Sequence, residues 1–391
     1  MSRRWVAALV FGPAFALAAA ACGGGEAPTA TAEPAAAPVE SARITELKAA
    51  SEAKGLRFLT HDEIVAGARR EGKLIAAPGF DDASFPTVEA AFEAAFPFID
   101  LETLYVSGTA AGERFNFGML AGTTEVDVLE ASSDDWKLYR DNDLLIPYDY
   151  EAMARAGELA INPDAIMHTP AGQLPFFGSS INVIAYNTDM IPPDEAPKNW
   201  EDCLDPKWKG LVATDTKTPL DGLIGVWTAE EILAYARGLK ENDVIFTRTP
   251  TATLVRLLSG EFPILCPTSY HASLRQLIAD PSAPLGLVFT DPLKISPREQ
   301  EGIYAAAKHP NAALLWMEWL SRTDVQTEVL SANDPGKASY LVEGTVSYEV
   351  LKTYEGTVHV CGTQCILDGV TLEIQIVVEA WGFPRVGAIP D

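Results

Sequence analysis

The chain has 391 residues, of which 48% are hydrophobic and 21% are charged. These fractions exclude a disordered, a collagen-like and a multi-span membrane chain, and the length predicts about two domains with a core each. The 54 acidic residues outnumber the 29 basic ones and give a net charge of -25, which argues against nucleic acid and anionic lipid headgroups as partners. The same charge is compatible with cationic ligands or with solubility alone.

The first 21 residues have the features of an export signal. Arg3 and Arg4 precede an apolar run over residues 5–21, which is shorter than the about 20 residues of a membrane-spanning helix. The run ends in AAAC at 19–22, which resembles the bacterial lipobox, in which the cysteine becomes the lipidated first residue. We predict lipidation of Cys22; the alternative is a secreted protein in which Cys22 has no role. Residues 22–45 then form a predicted flexible tether.

The body of the chain alternates predicted helices and strands. THDE at 60–63 fits a capping box at the start of a helix. Pro78 and Gly79 end a short apolar strand, and Ser84 with Pro86 is typical of the first turn of a helix. In this half we predict strands at 74–77, 101–106 and 126–129, and helices from 61, from 84, at 110–120 and at 136–145.

The alternation begins again after the middle of the chain. We predict strands at 181–186, 211–213, 263–266 and 285–289, and helices at 223–239, at 252–258, from 310 and at 323–330. Repeated βα units predict two α/β lobes, each with a mostly parallel sheet covered by helices. Residues 358–365 and 372–378 could form a hairpin or a strand-helix pair. The final segment, 346–391, is predicted to pack on the second lobe.

The cysteines after Cys22 give little indication of disulfide pairing. An exported protein can form disulfides, and Cys361 and Cys365 could close a small loop, although so short a ring would be strained. Cys203 and Cys266 stand in apolar or helical contexts and are predicted to be buried thiols.

Enzyme motifs are absent from the sequence. It contains no glycine-rich dinucleotide or phosphate loop, no HExxH and no GxSxG. The five histidines are not at metal-ligand spacing from one another. These absences weaken the enzyme hypothesis without excluding it; together with the resemblance described next, they lead us to expect a protein that is not an enzyme and has no catalytic cofactor.

Several strings, in order over about residues 60 to 335, resemble the extracellular solute-binding proteins of bacterial ABC importers, in particular the group of ferric-ion-binding proteins. Each string is weak alone, and together they are specific. They are EGKL at 71–74, AFEAAFP at 91–97, AG at 121–122 with VDV at 126–128, DLLIPY at 143–148, AYNT at 185–188, PKNWED at 197–202, DPKWKG at 205–210, GE at 260–261 and KHPNAA at 308–313.

The resemblance implies a two-lobed clamp of the type II periplasmic-binding-protein fold. Lobe 1 would consist of residues 60–180 with 295–345, and lobe 2 of residues 181–294. Ligand binding would shift the clamp from open to closed, and an ABC permease with its ATPase would recognise the closed form. The protein would act outside the cytoplasmic membrane, attached only through the lipid at Cys22.

The resemblance also implies candidate ligand residues. In ferric-binding relatives two adjacent tyrosines hold the metal, because phenolate oxygen suits Fe(III). Those positions are Tyr270 and His271 here. The position of the family's first-strand ligand is Asp81, so the predicted metal set is Tyr270, His271 and Asp81. Ser132 takes the place of the family's glutamate.

A synergistic anion could complete the coordination of a ferric ion. The anion region of the family corresponds to Thr216, Lys217 and Thr218, where hydroxyls and one cation would suit a carboxylate, a carbonate or a phosphate. Ser107 and Ser132, at predicted strand ends, could add donors from lobe 1. The alternative for each hydroxyl is a loop-capping role.

Three hypotheses follow from the sequence. The first is an importer-linked binder of ferric ion. The second is the same clamp around an organic solute, either a phosphorylated or carboxylated compound or a polyamine held by Asp81, Asp82 and Trp136. The third is an exported enzyme or interaction protein on the same scaffold, since a fold does not fix a function.

Overall fold

The computed structural model describes residues 37–106, 108–218, 220–248, 250–386 and 388. The helices α1 to α13 are Ala37–Ala53, His61–Glu71, Phe85–Ala95, Thr109–Leu120, Trp136–Asp141, Tyr150–Ala156, Ala229–Glu241, Pro250–Leu258, Tyr270–Ala279, Pro310–Leu320, Ser331–Asn333, Val346–Thr353 and Thr363–Ile374. The strands β1 to β11 are Lys73–Ala77, Asp100–Thr103, Val128–Glu130, Ile166–Thr169, Gly172–Asn187, Val212–Asp215, Ile245–Thr247, Ile264–Ser269, Leu285–Val288, Leu293–Ile303 and Val358–Val360. Val325–Leu330 and Gln375–Ala380 are π-helical segments.

The predicted export signal and Cys22 lie outside the described residues. Of the predicted tether, residues 37–45 belong to helix α1, which runs past the predicted boundary at residue 45. The helix continues past that boundary because Ile44 and Leu47 pack against the core that Ile64 and Phe92 help to form.

The strands form one continuous sheet in the order β2-β1-β3-β10-β5-β8-β6-β7. The pairs at its two ends are parallel: β1 with β2 and β3, and β6 with β7 and β8. Antiparallel pairs of β5 and β10 connect the two ends. We call the part built on β1 to β3 lobe 1 and the part built on β6 to β8 lobe 2. The predicted α/β class is confirmed.

Strands β5 and β10 run through both lobes. The first half of β5 pairs with β4 and β10, and its second half pairs with β8 and β9. Strand β10 pairs with β11 at its start and with β3 at its end. The predicted lobe boundaries at 180/181 and 294/295 therefore fall inside these two strands. Strand β10 was not predicted, and β5 is longer than the predicted strand at 181–186.

Each lobe has its own hydrophobic core. In lobe 1 the Phe92 ring lies 5.5 Å from those of Trp316 and Trp319, centroid to centroid, and α10 is buried along most of its length. In lobe 2 the buried residues include Trp200 and Tyr235. Aromatic side chains contribute the largest buried areas of such cores.

The structure contains two disulfides. One corrects the expectation of free thiols at Cys203 and Cys266, and the other closes the short loop considered for Cys361 and Cys365. Cys203 and Cys266 form a disulfide in the core of lobe 2 and are not free thiols. Their separation of 63 residues in the sequence gives no local signal of pairing. Cys361 and Cys365 form a second disulfide.

The C-terminal segment contacts both lobes. Cys361 and Ile366 belong to the cluster of lobe 1 that contains Trp136, whereas Leu372 and Ile376 belong to the core of lobe 2. Helix α13 therefore connects the lobes at one end of the molecule. The predicted packing on lobe 2 alone describes only part of this arrangement. Among the described residues, no helix has both the length and the hydrophobicity to span a bilayer.

Candidate functional site

Two adjoining cavities of about 750 and 520 Å³ lie where polar loops of both lobes meet. We call them together the cleft. Both are lined by Glu130, Ser132 and Asp134, which follow or end β3 in lobe 1, and by Lys217, which follows β6 in lobe 2. Loops at the carboxyl ends of parallel strands are where open α/β sheets hold their ligands.

The loop after β6 directs a lysine into the cleft. The Asp215 carboxylate accepts hydrogen bonds from the backbone N–H groups of Lys217 at 3.0 Å and Thr218 at 2.7 Å, and from the Thr218 hydroxyl at 3.1 Å. These bonds fix the turn. The Lys217 ammonium lines the cleft and has no hydrogen-bond or ion-pair partner among the described residues.

A second unpaired cation comes from the end of β7. Arg248 follows that strand and lines the larger cavity. Its guanidinium also has no ion pair within the described part of the chain. Two uncompensated cations on one wall make that wall attractive to an anion.

The junction of β8 and α9 adds polar groups to the same wall. The Ser269 hydroxyl caps the start of α9 and lies 2.8 Å from His271 Nδ1. The preceding Thr268 lines the cavity, is only 3% exposed, and its hydroxyl has no hydrogen-bond partner. A helix N-terminus favours anions because its first N–H groups point outward.

Burial and nearby cations control the state of His271. Burial, together with the positive charges of Lys337, Arg275 and Arg298, lowers the pKa of His271 to about 3. The imidazole is therefore neutral at ordinary pH. It can accept or donate one hydrogen bond in the cleft, but it adds no positive charge.

The larger cavity is also lined by an ionic network that is already satisfied. Asp221 Oδ1 lies 2.8 Å from Lys294 Nζ, and Asp221 Oδ2 lies 3.3 Å from the Arg298 guanidinium. Although burial opposes ionisation, the two cations hold the pKa of Asp221 at about 2. Asp221 also receives a hydrogen bond from the Asn182 side chain, whose Oδ1 remains unpartnered.

The lobe 1 wall is built from buried carboxyl groups. Glu130 and Glu301 are opposite each other in the β3–β10 register. Glu299 is 2% exposed and pairs with Lys337 at 2.7 Å. Burial raises the pKa of Glu130 to about 7, with the Glu299 carboxylate adding to the effect. Burial likewise raises the pKa of Glu301 well above its ordinary value.

A side chain at residue 79 would displace the carboxyl groups of this wall. A β-carbon at residue 79 would lie 2.2 Å from Glu299 Oε2 and 2.3 Å from Glu130 Oε2. The two carboxyl oxygens are therefore at most 4.5 Å apart. Lys337 Nζ donates to the Gly79 carbonyl at 2.5 Å, so the same ammonium holds both the glycine and Glu299.

Several predicted site residues lie in the cleft. Ser132 lines both cavities, His271 and Thr218 line the larger, and Asp81 lines the smaller. The Thr218 hydroxyl is directed to Asp215. The Asp81 carboxylate forms an ion pair with Arg275 from α9, which joins lobe 1 to lobe 2.

Other predicted site residues lie elsewhere. Thr216 is fully buried and its hydroxyl donates to the Thr247 carbonyl at 3.1 Å, which is a structural role. The Tyr270 ring packs 5.0 Å from Phe289 among buried aliphatic side chains, outside the lining of both cavities. Ser107 lies outside the described residues.

The structure does not bring the predicted metal set together. Tyr270 is packed in the core, Asp81 is paired with Arg275, and His271 contacts Ser269. Burial raises the pKa of Tyr270, which opposes formation of the phenolate. Within the described ranges no group of three or more His, Cys, Asp and Glu side chains has an arrangement that could hold a metal ion.

Sequence reasoning did not find Arg248, Asn182, Thr268 or Glu373 as cleft residues. Thr268 and Asn182 could have been suspected as polar residues within otherwise apolar strands. Arg248 and Glu373 had no signal, since an arginine in a loop and a glutamate in a helix are ordinary surface residues.

Comparisons with known proteins agree with this geometry. Residues 80–244 match the family described as bacterial extracellular solute-binding protein. No curated protein sequence matches the chain.

Solved structures share the fold at low sequence identity. Iron-bound HitA from Pseudomonas aeruginosa has a TM-score of 0.57 and 15% identity, with 78% of this chain and 99% of that one covered. The ferric iron-binding protein A of Mannheimia haemolytica, in an open conformation, has a TM-score of 0.61 and 14% identity, with 80% of this chain and 99% of that one covered. The substrate-binding protein of an ABC transporter from Agrobacterium tumefaciens has a TM-score of 0.60 and 17% identity, with 81% of this chain and 97% of that one covered. The chain therefore resembles bacterial extracellular solute-binding proteins over residues 80–244, and it shares the fold of these solved structures.

Proposed function

We propose that this protein captures a small organic anion, with a carboxylate or phosphate group, in the cleft and delivers it to an ABC permease. The observation that carries the proposal is the pair of unpaired cations, Lys217 and Arg248, on one wall of a cavity of about 750 Å³. The volume suits a small organic molecule.

The surroundings of the two cations support an anion more than a metal. The Thr268 hydroxyl is buried without a partner, and an unpaired buried polar group is costly unless a ligand satisfies it. The N-terminus of α9, at Ser269 and His271, lines the same cavity, and helix N-termini favour anions. Ser132 can contribute a hydroxyl from lobe 1, so the anion would contact both lobes. Such a ligand stabilises the closed clamp.

Ferric ion is the second candidate. Its support is the similarity to iron-bound HitA and the neutral His271 imidazole in the cleft, since neutral imidazole can bind iron. The packing of Tyr270 against Phe289 and the Asp81–Arg275 ion pair weigh against it. A synergistic anion at Lys217 and Arg248 would be compatible with either candidate.

Export and anchoring belong to the same proposal. Lipidation of Cys22, preceded by the signal at 1–21, would keep the binder beside the permease at the outer face of the cytoplasmic membrane. A Cys22→Ser variant is then expected in the soluble rather than the membrane fraction of the cell. Retention of that variant on the membrane would contradict the anchor.

The ligand class can be tested on the exported, purified protein. We expect isothermal titration calorimetry to detect binding of ethyl phosphate or propanoate. Lys217→Gln and Arg248→Gln should each weaken that binding about tenfold or more, since a hydrogen bond to a charged group contributes about 1.5 to 3 kcal/mol. Lys209→Gln is the matched control, because Lys209 is an exposed lysine of lobe 2 that pairs with Asp243 at 3.3 Å.

The iron candidate is tested on the same sample. Elemental analysis and a visible spectrum after addition of ferric citrate would show about one iron per chain and a tyrosinate-to-iron band, absent in Tyr270→Phe, if ferric ion were the cargo. That result, combined with no binding of either organic anion, would overturn the proposal. No iron, combined with anion binding that depends on Lys217 and Arg248, would support it.

A further inference from the structure

The larger cavity is lined by unpaired acidic groups in addition to the two unpaired cations. Asp215 accepts hydrogen bonds from the turn at 217–218, and Asp221 pairs with Lys294 and Arg298. Glu130 has no hydrogen bond or ion pair among the described residues and lies in the buried carboxyl wall of lobe 1. The carboxylates of Asp134 and Glu373 line the larger cavity without a hydrogen bond or ion pair among the described residues.

Glu373 is contributed by the C-terminal helix. Helix α13 lies across the end of the cleft, with Ile366 in the cluster of lobe 1 and Leu372 in the core of lobe 2. Gly369 permits this position, because a β-carbon there would lie 3.2 Å from Ile224 of lobe 2. The rigid packing on both sides fixes the direction in which Glu373 enters the cavity.

The surroundings of Glu373 favour a positive charge beside it. Burial, with the negative charges of Asp221 and Asp134, raises the pKa of Glu373 to about 8, and the cations Arg298 and Lys294 compensate this only in part. A cationic group of a ligand would offset the negative charges around Glu373 and allow its carboxyl group to ionise.

An independent observation on the same cavity also calls for a hydrogen-bond donor from a ligand. Asn182 is 6% exposed, lines the larger cavity, and its Oδ1 has no partner. Its amide is oriented by the hydrogen bond to Asp221, which leaves the acceptor oxygen for a ligand. An ammonium group has donors for Asn182 and the two carboxylates at once.

We infer that Glu373, with Asp134 and Asn182, forms a cation-recognising subsite, and that the solute carries a protonated amine in addition to its anionic group. This inference rests on the proposed capture of an anion at Lys217 and Arg248. A purely anionic solute would leave Asp134 and Glu373 unpaired, and a polyamine would leave Lys217 and Arg248 unpaired. A solute with one charge of each sign satisfies all four groups, and Glu373 is then its specificity-determining residue.

Matched pairs of probes that differ by one amine test the subsite. The pairs are phosphoethanolamine with ethyl phosphate, and β-alanine with propanoate. We expect calorimetry on the exported protein to show at least tenfold tighter binding of the amine-bearing member in one or both pairs. Glu373→Gln should reduce this preference to about threefold or less while the amine-free member binds as before.

A control variant, a second variant in the subsite and a proton-release measurement separate recognition of the amine from a structural effect. Glu379→Gln changes an exposed glutamate on the same C-terminal segment and should keep the preference. Asp134→Asn on lobe 1 should lower it independently of α13. Binding of the amine-bearing probe near pH 7 should release protons from Glu373, measurable in buffers of different ionisation enthalpy, and the release should disappear in Glu373→Gln.

The outcomes distinguish the two proposals. Equal binding of both members of each pair, or a preference that Glu373→Gln leaves unchanged, would overturn the subsite while capture of an anion stands. Binding of no probe would overturn anion capture, and the subsite with it. An amine preference that requires Glu373 supports both.

Discussion

The two walls of the cleft differ in what their charged groups contact. On the lobe 1 wall, Glu130, Glu299 and Glu301 are buried together, and Lys337 holds Glu299 and the Gly79 carbonyl. On the lobe 2 wall, Lys217 and Arg248 contact no acidic partner within the described residues. The charged groups named on the lobe 1 wall therefore support the structure, whereas the two cations on the lobe 2 wall are available to a ligand.

This difference between the walls shows how one cleft can combine a stable framework with groups that bind a ligand. Carboxyl groups that are crowded and raised in pKa stay partly protonated, so they can join β3 to β10 without a strong repulsion. Unpaired cations beside a cavity add little to the stability of the fold and are available for binding. Substitutions in the buried carboxyl cluster of the lobe 1 wall should then change stability, and substitutions of the two unpaired cations of the lobe 2 wall should change affinity.

The largest effect is expected for Gly79→Ala. The added methyl group would lie 2.2 to 2.3 Å from the Glu299 and Glu130 carboxyl oxygens and would force apart the group that Lys337 holds. We expect the free energy of unfolding to fall by about 3 kcal/mol, measured by urea denaturation.

Gly112→Ala is the matched control for that change. Gly112 lies in α4, and no atom lies within 4 Å of the position of an added β-carbon. Alanine there should leave stability unchanged or raise it by up to about 1 kcal/mol. Equal stability of Gly79→Ala and Gly112→Ala would show that the carboxyl cluster rearranges freely.

A smaller effect is expected in the pH dependence of stability. The pKa of Glu130 is about 7 in the folded protein and about 4.5 when exposed, so the folded state binds more protons between these values. The contribution of Glu130 to stability is therefore present at low pH and is lost as the pH rises from 4.5 through 7. Glu130→Gln should reduce the loss between pH 5 and 7.5 by about 2 kcal/mol.

The exposed Glu355 provides the comparison for Glu130. Denaturation midpoints of Glu355→Gln should follow those of the unchanged protein at every pH. A Glu130→Gln variant with the same pH profile as the unchanged protein would show that the cluster does not share protons in this range.

The smallest change in stability is expected on the lobe 2 wall. Lys217→Gln and Arg248→Gln remove charges that have no partner in the described structure, so the free energy of unfolding without ligand should change by less than about 0.5 kcal/mol. Thermal denaturation without ligand checks this. A loss of several kcal/mol would mean that these cations support the fold, and the contrast between the walls would fail.

Much of the fold could be predicted because most elements have a regular pattern. The helix at 61 has its capping box, and β1 is a short apolar run. Strand β10 was missed because LKISPREQEGI contains four charged residues, which are typical of a loop. Lys294 and Glu299 are nevertheless buried, because partners distant in the sequence form ion pairs with them. Glu301 is buried without a hydrogen-bond partner.

The site could be predicted only in outline. The sequence predicts site residues in the loops after β3, β6 and β8, because strand ends are visible in a sequence, and residues of these loops line the two cavities. Which side chain of each loop enters the cavity depends on local turns: the Asp215 turn directs Lys217 inward while Thr216 donates to Thr247. The contribution of α13 depends on packing between distant segments, which no local pattern shows.

The passage of β5 and β10 through both lobes has a consequence for how the chain is made. The core of lobe 1 includes α10, and the core of lobe 2 includes Leu372 and Ile376, so each core is completed only by residues from the last third of the chain. During synthesis or export, the segments that emerge first would expose apolar surface until that last third follows. Such surface attracts chaperones and aggregation alike, so a nascent chain of this protein would need protection until nearly all of it has left the ribosome.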